Sequence, residues 1–230
     1  MKNLTSVIAV LFAALFFTQA SAADICGDLE NGYGPYDFWT DKARLPVVET
    51  HHFAPQVEQL VRGQSSYIGD DIAYTLHAFP NHPRALISMM NLGVKEKTNK
   101  PRGARYSVEC YFDRAIRFRP KDPMVRMIYA NFLSKNGKKD DAVKQLEVAH
   151  EAGLDNPNME YNMGLAYFDV GDYEKSLFYA HRAYQGGFDL PGLKRKLVHA
   201  GKWREPLEQT PGAAKGVSPA REPTKAGGTK

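Results

Sequence analysis

Three prolines set the frame of this chain: Pro123, Pro157 and Pro191 stand 34 residues apart. Each closes a short polar turn, KDP, DNP and DLP, and so suits the first position of a helix, where the missing N–H costs nothing. Aligned on these prolines, Gly137 falls on Gly171, Ala142 on Ser176 and Ala149 on Ala183, with Ala115 as a further counterpart of Ala149. Small residues at matched places let the two helices of a unit approach closely. A unit of this size cannot bury its own apolar face, so the pattern predicts stacked helix pairs rather than independent hairpins.

The register extends toward the N-terminus through FDRAIRFRPKDP, and the preceding helix begins at Pro83, 40 residues before Pro123. The polar stretch KEKTNKPRG supplies a loop for the extra residues. With Gly164, Tyr167, Gly171, Tyr173 and Ala183 in place, residues 83 to 200 resemble the tetratricopeptide repeat family. The family's usual tryptophan is replaced by Leu86, Arg126 and Glu160. The resemblance implies an all-α superhelix of antiparallel helix pairs over 83–204, closed by a capping helix in LPGLKRKLVHAGKW. Upstream, APQVEQLVRG and DDIAYTLHAFP predict a degenerate N-terminal helix pair over 55–82, with Pro55 as a helix start and Gly63 as a stop.

The segments outside the repeat read differently. Residues 1–22 carry one Lys, an apolar run from Val7 to Phe17 and small residues at Ala20 and Ala22. This is the layout of a cleaved signal peptide, and the run is too short to span a membrane. Residues 23–54 form an irregular strap rich in Gly, Pro and aromatics, with a short strand or an extended course expected at LPVVETHHF. Residues 205–230 hold almost no large apolar side chain, and a disordered tail is expected there. The chain has two cysteines. Cys110 lies midway between the core-facing Val108 and Phe112 and is therefore rotated outward on its helix. Export would place both thiols in an oxidising compartment, periplasmic or secreted, where a Cys26–Cys110 bridge can strap the N-terminal segment over that helix.

The formal net charge is +4, too small and too interleaved with acids to argue for nucleic acid. No nucleophile elbow, zinc-protease, phosphate-loop or dinucleotide motif is present, so no enzyme and no cofactor are expected. The minor alternative is a metal site at ETHH, using Glu49, His51 and His52, with His77 or His82 approaching. Glu147, His150 and Glu151 read as surface electrostatics on one helix. The main candidate is the concave face. In the family's register the groove takes Arg84, Ile87, Ser88 and Asn91 from one unit and Met124, Met127, Ile128, Asn131 and Ser134 from the next. The last unit adds Asn158, Tyr161, Asn162, Leu165 and Phe168. Asparagine offers a donor and an acceptor to a peptide backbone, and Met, Tyr and Phe give adaptable apolar contact. Asn131 and Asn162 stand where chaperone-binding members of the family grip a terminal carboxylate, but Met127 and Gly192 replace two of the basic residues of that clamp, leaving Lys196. The expectation is a non-enzymatic exported scaffold that binds a protein or peptide, with no membrane insertion after signal cleavage. Self-association into a homo-oligomer is the structural alternative.

Overall fold

The computed structural model describes residues 25–154 and 156–206. The signal-like residues 1–22 and the tail from 207 onward lie outside the described residues. Among those described, ten α-helices and no strand are present. A 3-10 turn at Lys42–Arg44 leads into α1 (Leu45–His52) and the single turn α2 (Pro55–Glu58). There follow α3 (Ile68–Ala78), α4 (Pro83–Glu96), α5 (Val108–Phe118), α6 (Pro123–Lys135), α7 (Lys139–Ala152), α8 (Pro157–Val170), α9 (Tyr173–Gln185) and α10 (Gly192–His199).

The repeated prolines act as expected in three units. Pro83, Pro123 and Pro157 each open a helix, and the residue before each one caps it: His82 accepts from the Ala85 amide, Asp122 from Met124 and Val125, and Asn156 from Met159. Such caps satisfy N–H groups that have no partner within the helix. Pro191 differs, serving as the residue before α10 rather than its first. Gly171 ends α8 in the left-handed region at φ 91°, which permits the sharp reversal into α9.

The reversals pack α6 on α7 and α8 on α9 along their lengths, while α4, α6, α8 and α10 touch in series. Ala115, Ala142, Ala149, Ser176 and Ala183, the small residues in register, are all fully buried. Within the α8–α9 pair, the Ser176 hydroxyl donates to the Gly164 carbonyl at 2.8 Å. Leu133, Leu146, Met163 and Tyr167 fill the space between successive pairs, and each fully buried side chain of this size contributes about 1.5 to 3 kcal/mol.

Two local expectations are corrected. LPVVETHHF forms a helix, not a strand: Pro46 sits in its first turn, and Leu45 and Val48, three residues apart, are buried against Ala78 and Phe79. The run is helical because one face of it meets α3, a partner that local composition does not name. The helix expected from Pro55 lasts one turn, and Leu60 adopts a positive φ of 59° before Gly63 is reached.

The strap runs across the turns that precede α4 and α6. Cys26 and Cys110 are joined, with sulfurs 2.09 Å apart and a sequence separation of 84. Cys110 is 7% exposed because the strap lies over it. Arg114 Nη1 donates to the carbonyls of Cys26, Gly27 and Asp28 at 3.0, 3.2 and 2.6 Å. Farther along, the Tyr36 amide donates to the Ala78 carbonyl at 2.8 Å, and the Phe38 amide to Asn81 Oδ1 at 2.9 Å.

Candidate functional site

The predicted groove is closed at both ends by the chain itself. At the first end, Arg84 pairs with Glu49 of α1 and with Glu58 at 3.1 Å, and Ser88 Oγ donates to the Glu58 carbonyl at 3.0 Å. Glu49 is held below the usual carboxylate range by its bond to His82, with Arg84 adding to the effect against the opposing influence of burial. His82 is fully buried between Phe38 and Phe53, with ring centroids 4.7 and 5.0 Å away. Its Nδ1 accepts the Ala85 amide, so its Nε2 carries the proton and donates to Glu49 Oε1 at 3.2 Å. Burial is the main force keeping this ring neutral.

At the far end Tyr161 is not a free groove residue. It is 8% exposed, its ring packs 4.4 Å from Phe188, and its hydroxyl accepts the Leu193 amide of α10 at 3.1 Å. Met127 is likewise buried in the core between units. Phe168 packs against Tyr173 and lies under Lys196, which pairs with Asp169 at 3.4 Å. The one basic residue matching the carboxylate clamp is thus already engaged.

The middle stays open. Asn91 is exposed between Ile87 and Val94, which are 40% and 67% exposed. Asn131 is half-buried, and its side-chain amide is bonded to no described residue. Asn162 donates to Asn158 Oδ1 at 3.1 Å, and Leu165 is half-buried.

Beside this open middle, at the N-terminal ends of α6 and α8, lies a cavity of about 600 Å³. Met124 and Asn158, both predicted groove positions, line it with Met159, Leu154 and Pro123. Trp39 of the strap forms the remaining wall and also borders a second cavity of about 450 Å³ beside Arg119 and Lys121. Asp122 fixes the indole. One of its oxygens caps α6, while Oδ2 accepts Trp39 Nε1 at 2.8 Å and Asn81 Nδ2 at 3.1 Å. The indole is therefore held by a buried carboxylate yet remains 45% exposed. A rigid, half-exposed tryptophan between two hollows is the kind of side chain that anchors interfaces.

The sequence shows the strap to be rich in aromatics but does not single out Trp39. The signal that could have found it is Asp122, whose capping role is legible but whose second oxygen is left to take a donor from elsewhere.

The ETHH residues do not converge. Glu49 faces His82 and Arg84, His52 pairs with Asp71 at 3.2 Å and stacks on Tyr74, and His51 is exposed. No group of three His, Cys, Asp or Glu among the described residues is placed to hold a metal ion. His150 is more than surface charge, since its Nδ1 contacts the Tyr179 hydroxyl. Among the described residues no helix is long and apolar enough to cross a membrane. The chain matches no known family model and no curated protein.

Proposed function

We propose that this protein is a non-enzymatic, exported scaffold of tetratricopeptide type that holds a segment of a partner polypeptide along the first helices of its units. The observation that carries the reading is the shared construction of the Trp39 cavity. Its walls come from the strap, from groove positions Met124 and Asn158, and from the turn before α8. A cavity of about 600 Å³, with half-buried, unengaged Asn131 about two turns farther along α6 from Met124, suits an apolar side chain of a peptide whose backbone amide extends to the asparagine. Export is supported by the signal-like first 22 residues and by the disulfide.

The test uses the two tryptophans of the chain. In a Trp203→Phe background, Trp39 reports on the cavity. Peptides selected on the protein should shift its emission and lose about tenfold or more in affinity with Met124→Lys or Asn131→Ala, while Lys144→Ala on α7 leaves binding unchanged. Selected peptides that bind all three variants equally and leave Trp39 emission unmoved would sink the reading.

A further inference from the structure

A separate cavity of about 350 Å³ lies along α3 beneath strap residues Asn31 to Tyr33. Asp70, Tyr74 and His77 contribute from α3, at spacings of four and three that place them on one face. Arg105 reaches in from the loop before α5, and Tyr33 from the strap. The exposed Asp70 and Arg105 make no ion pair or side-chain hydrogen bond with each other or with any described residue; Arg105 only overlies the Tyr106 ring at 5.4 Å. The neighbouring acids behave otherwise: Asp37 pairs with Arg119, Glu49 with Arg84, and Asp71 with His52.

The surroundings of His77 add a second observation. Its ring stacks on Tyr106 at 5.7 Å, and the Arg114 guanidinium lies 5.2 Å from the same ring. Arg114 is 1% exposed, and no described carboxylate pairs with it. Nε2 of His77 and Nε and Nη2 of Arg114 are buried without hydrogen-bond partners. Burial, with Arg114 and Arg105 nearby, keeps His77 neutral by lowering its pKa to about 4. Positive charge is therefore in excess on the His77 side of the cavity, and such an imbalance favours an anionic group there. The carboxylate of Asp70, on the same helix two turns earlier, calls for the opposite charge.

We infer that this cavity binds a small zwitterion of amino-acid size, its carboxylate held at Arg105 on the His77 side, its ammonium at Asp70, and its side chain between Tyr33 and Tyr74. Opposite charges left unspent on one cavity complement a ligand that carries both. This site is distinct from the Trp39 cavity and does not depend on the peptide-binding reading.

The experiment is calorimetric titration of the full mature chain, disulfide intact, with each of the standard free L-amino acids and with the N-acetyl and carboxamide derivatives of any that bind. At least one free amino acid should bind. Removing either of its charges should weaken binding about tenfold or more, as should Arg105→Gln and Asp70→Asn. Both substituted side chains are exposed, so unchanged melting temperatures confirm that the variants fold. The inference is overturned if no free amino acid binds at about 10 mM, a concentration that would reveal even weak millimolar sites. It is equally overturned if capped derivatives bind as well as the parent, or if both variants retain full affinity.

Discussion

Replacing both cysteines, Cys26→Ser with Cys110→Ser, separates what the bridge contributes from what the strap contacts contribute. The bridge closes a loop with a sequence separation of 84, and loop-closure entropy for that length is worth about 4 to 5 kcal/mol. With a urea m-value of about 2 kcal/mol/M, the unfolding midpoint should fall by about 2 M. The strap's hydrogen bonds are still available, including those from Arg114 and the indole bond to Asp122. At low urea the double variant should therefore keep the native Trp39 emission. Circular dichroism followed through urea, with Trp39 fluorescence in the Trp203→Phe background, reads both quantities. A midpoint shift below about 0.5 M would refute the loop-entropy argument. Loss of native Trp39 emission before any urea is added would refute the claim that the polar contacts suffice to seat the strap.

Three further perturbations follow from specific contacts. Gly34 has φ 118°, and a Cβ there would lie 2.7 Å from the Ala78 carbonyl oxygen; Gly34→Ala should cost about 2 kcal/mol or more in urea unfolding, and a cost under about 0.5 kcal/mol would contradict it. His77 and His82 are both held below the ordinary histidine value of 6.5, so the unfolded chain binds protons that the folded chain refuses. Stability should be full above about pH 6.5 and decline as pH falls, down to about 4 for His77, by at most about 1.4 kcal/mol per pH unit per histidine. A flat profile of urea midpoints from pH 7.5 to 5 would refute this. Arg114→Met removes a buried charge but takes the donor from the Cys26 and Asp28 carbonyls, Gly27 keeping its bond from Arg117, and at about 1 to 3 kcal/mol for each unsatisfied group the loss should dominate. A more stable variant in thermal melts would show that desolvation of the guanidinium outweighs its bonds.

The groove illustrates how far local pattern reaches. Asn91 and Asn131 were placed by repeat register and remain accessible. Arg84 and Tyr161, placed by the same register, are occupied by α1 and α2 at one end and by α10 at the other. Register specifies which face of a helix a residue occupies, but not whether another part of the chain will cover that face. In the strap, Trp39 is anchored at its ring edge while its face stays open, a division that composition does not specify.

What the sequence alone determined is the set of features written in short-range spacing. These are the all-helical class, the helix starts at Pro83, Pro123 and Pro157, the small residues between paired helices, and the outward rotation of Cys110 that leaves it free to meet Cys26. Tertiary structure alone decided that LPVVETHHF is a helix, that Asp122 caps α6 with one oxygen and holds an indole 83 residues away with the other, and that Asp70, His77 and Arg105 share a cavity. The reason is one of range. Helical periodicity and capping are satisfied within a few residues, whereas the fate of a second lone pair, an unpaired charge or an exposed ring depends on which distant segment the stack brings alongside.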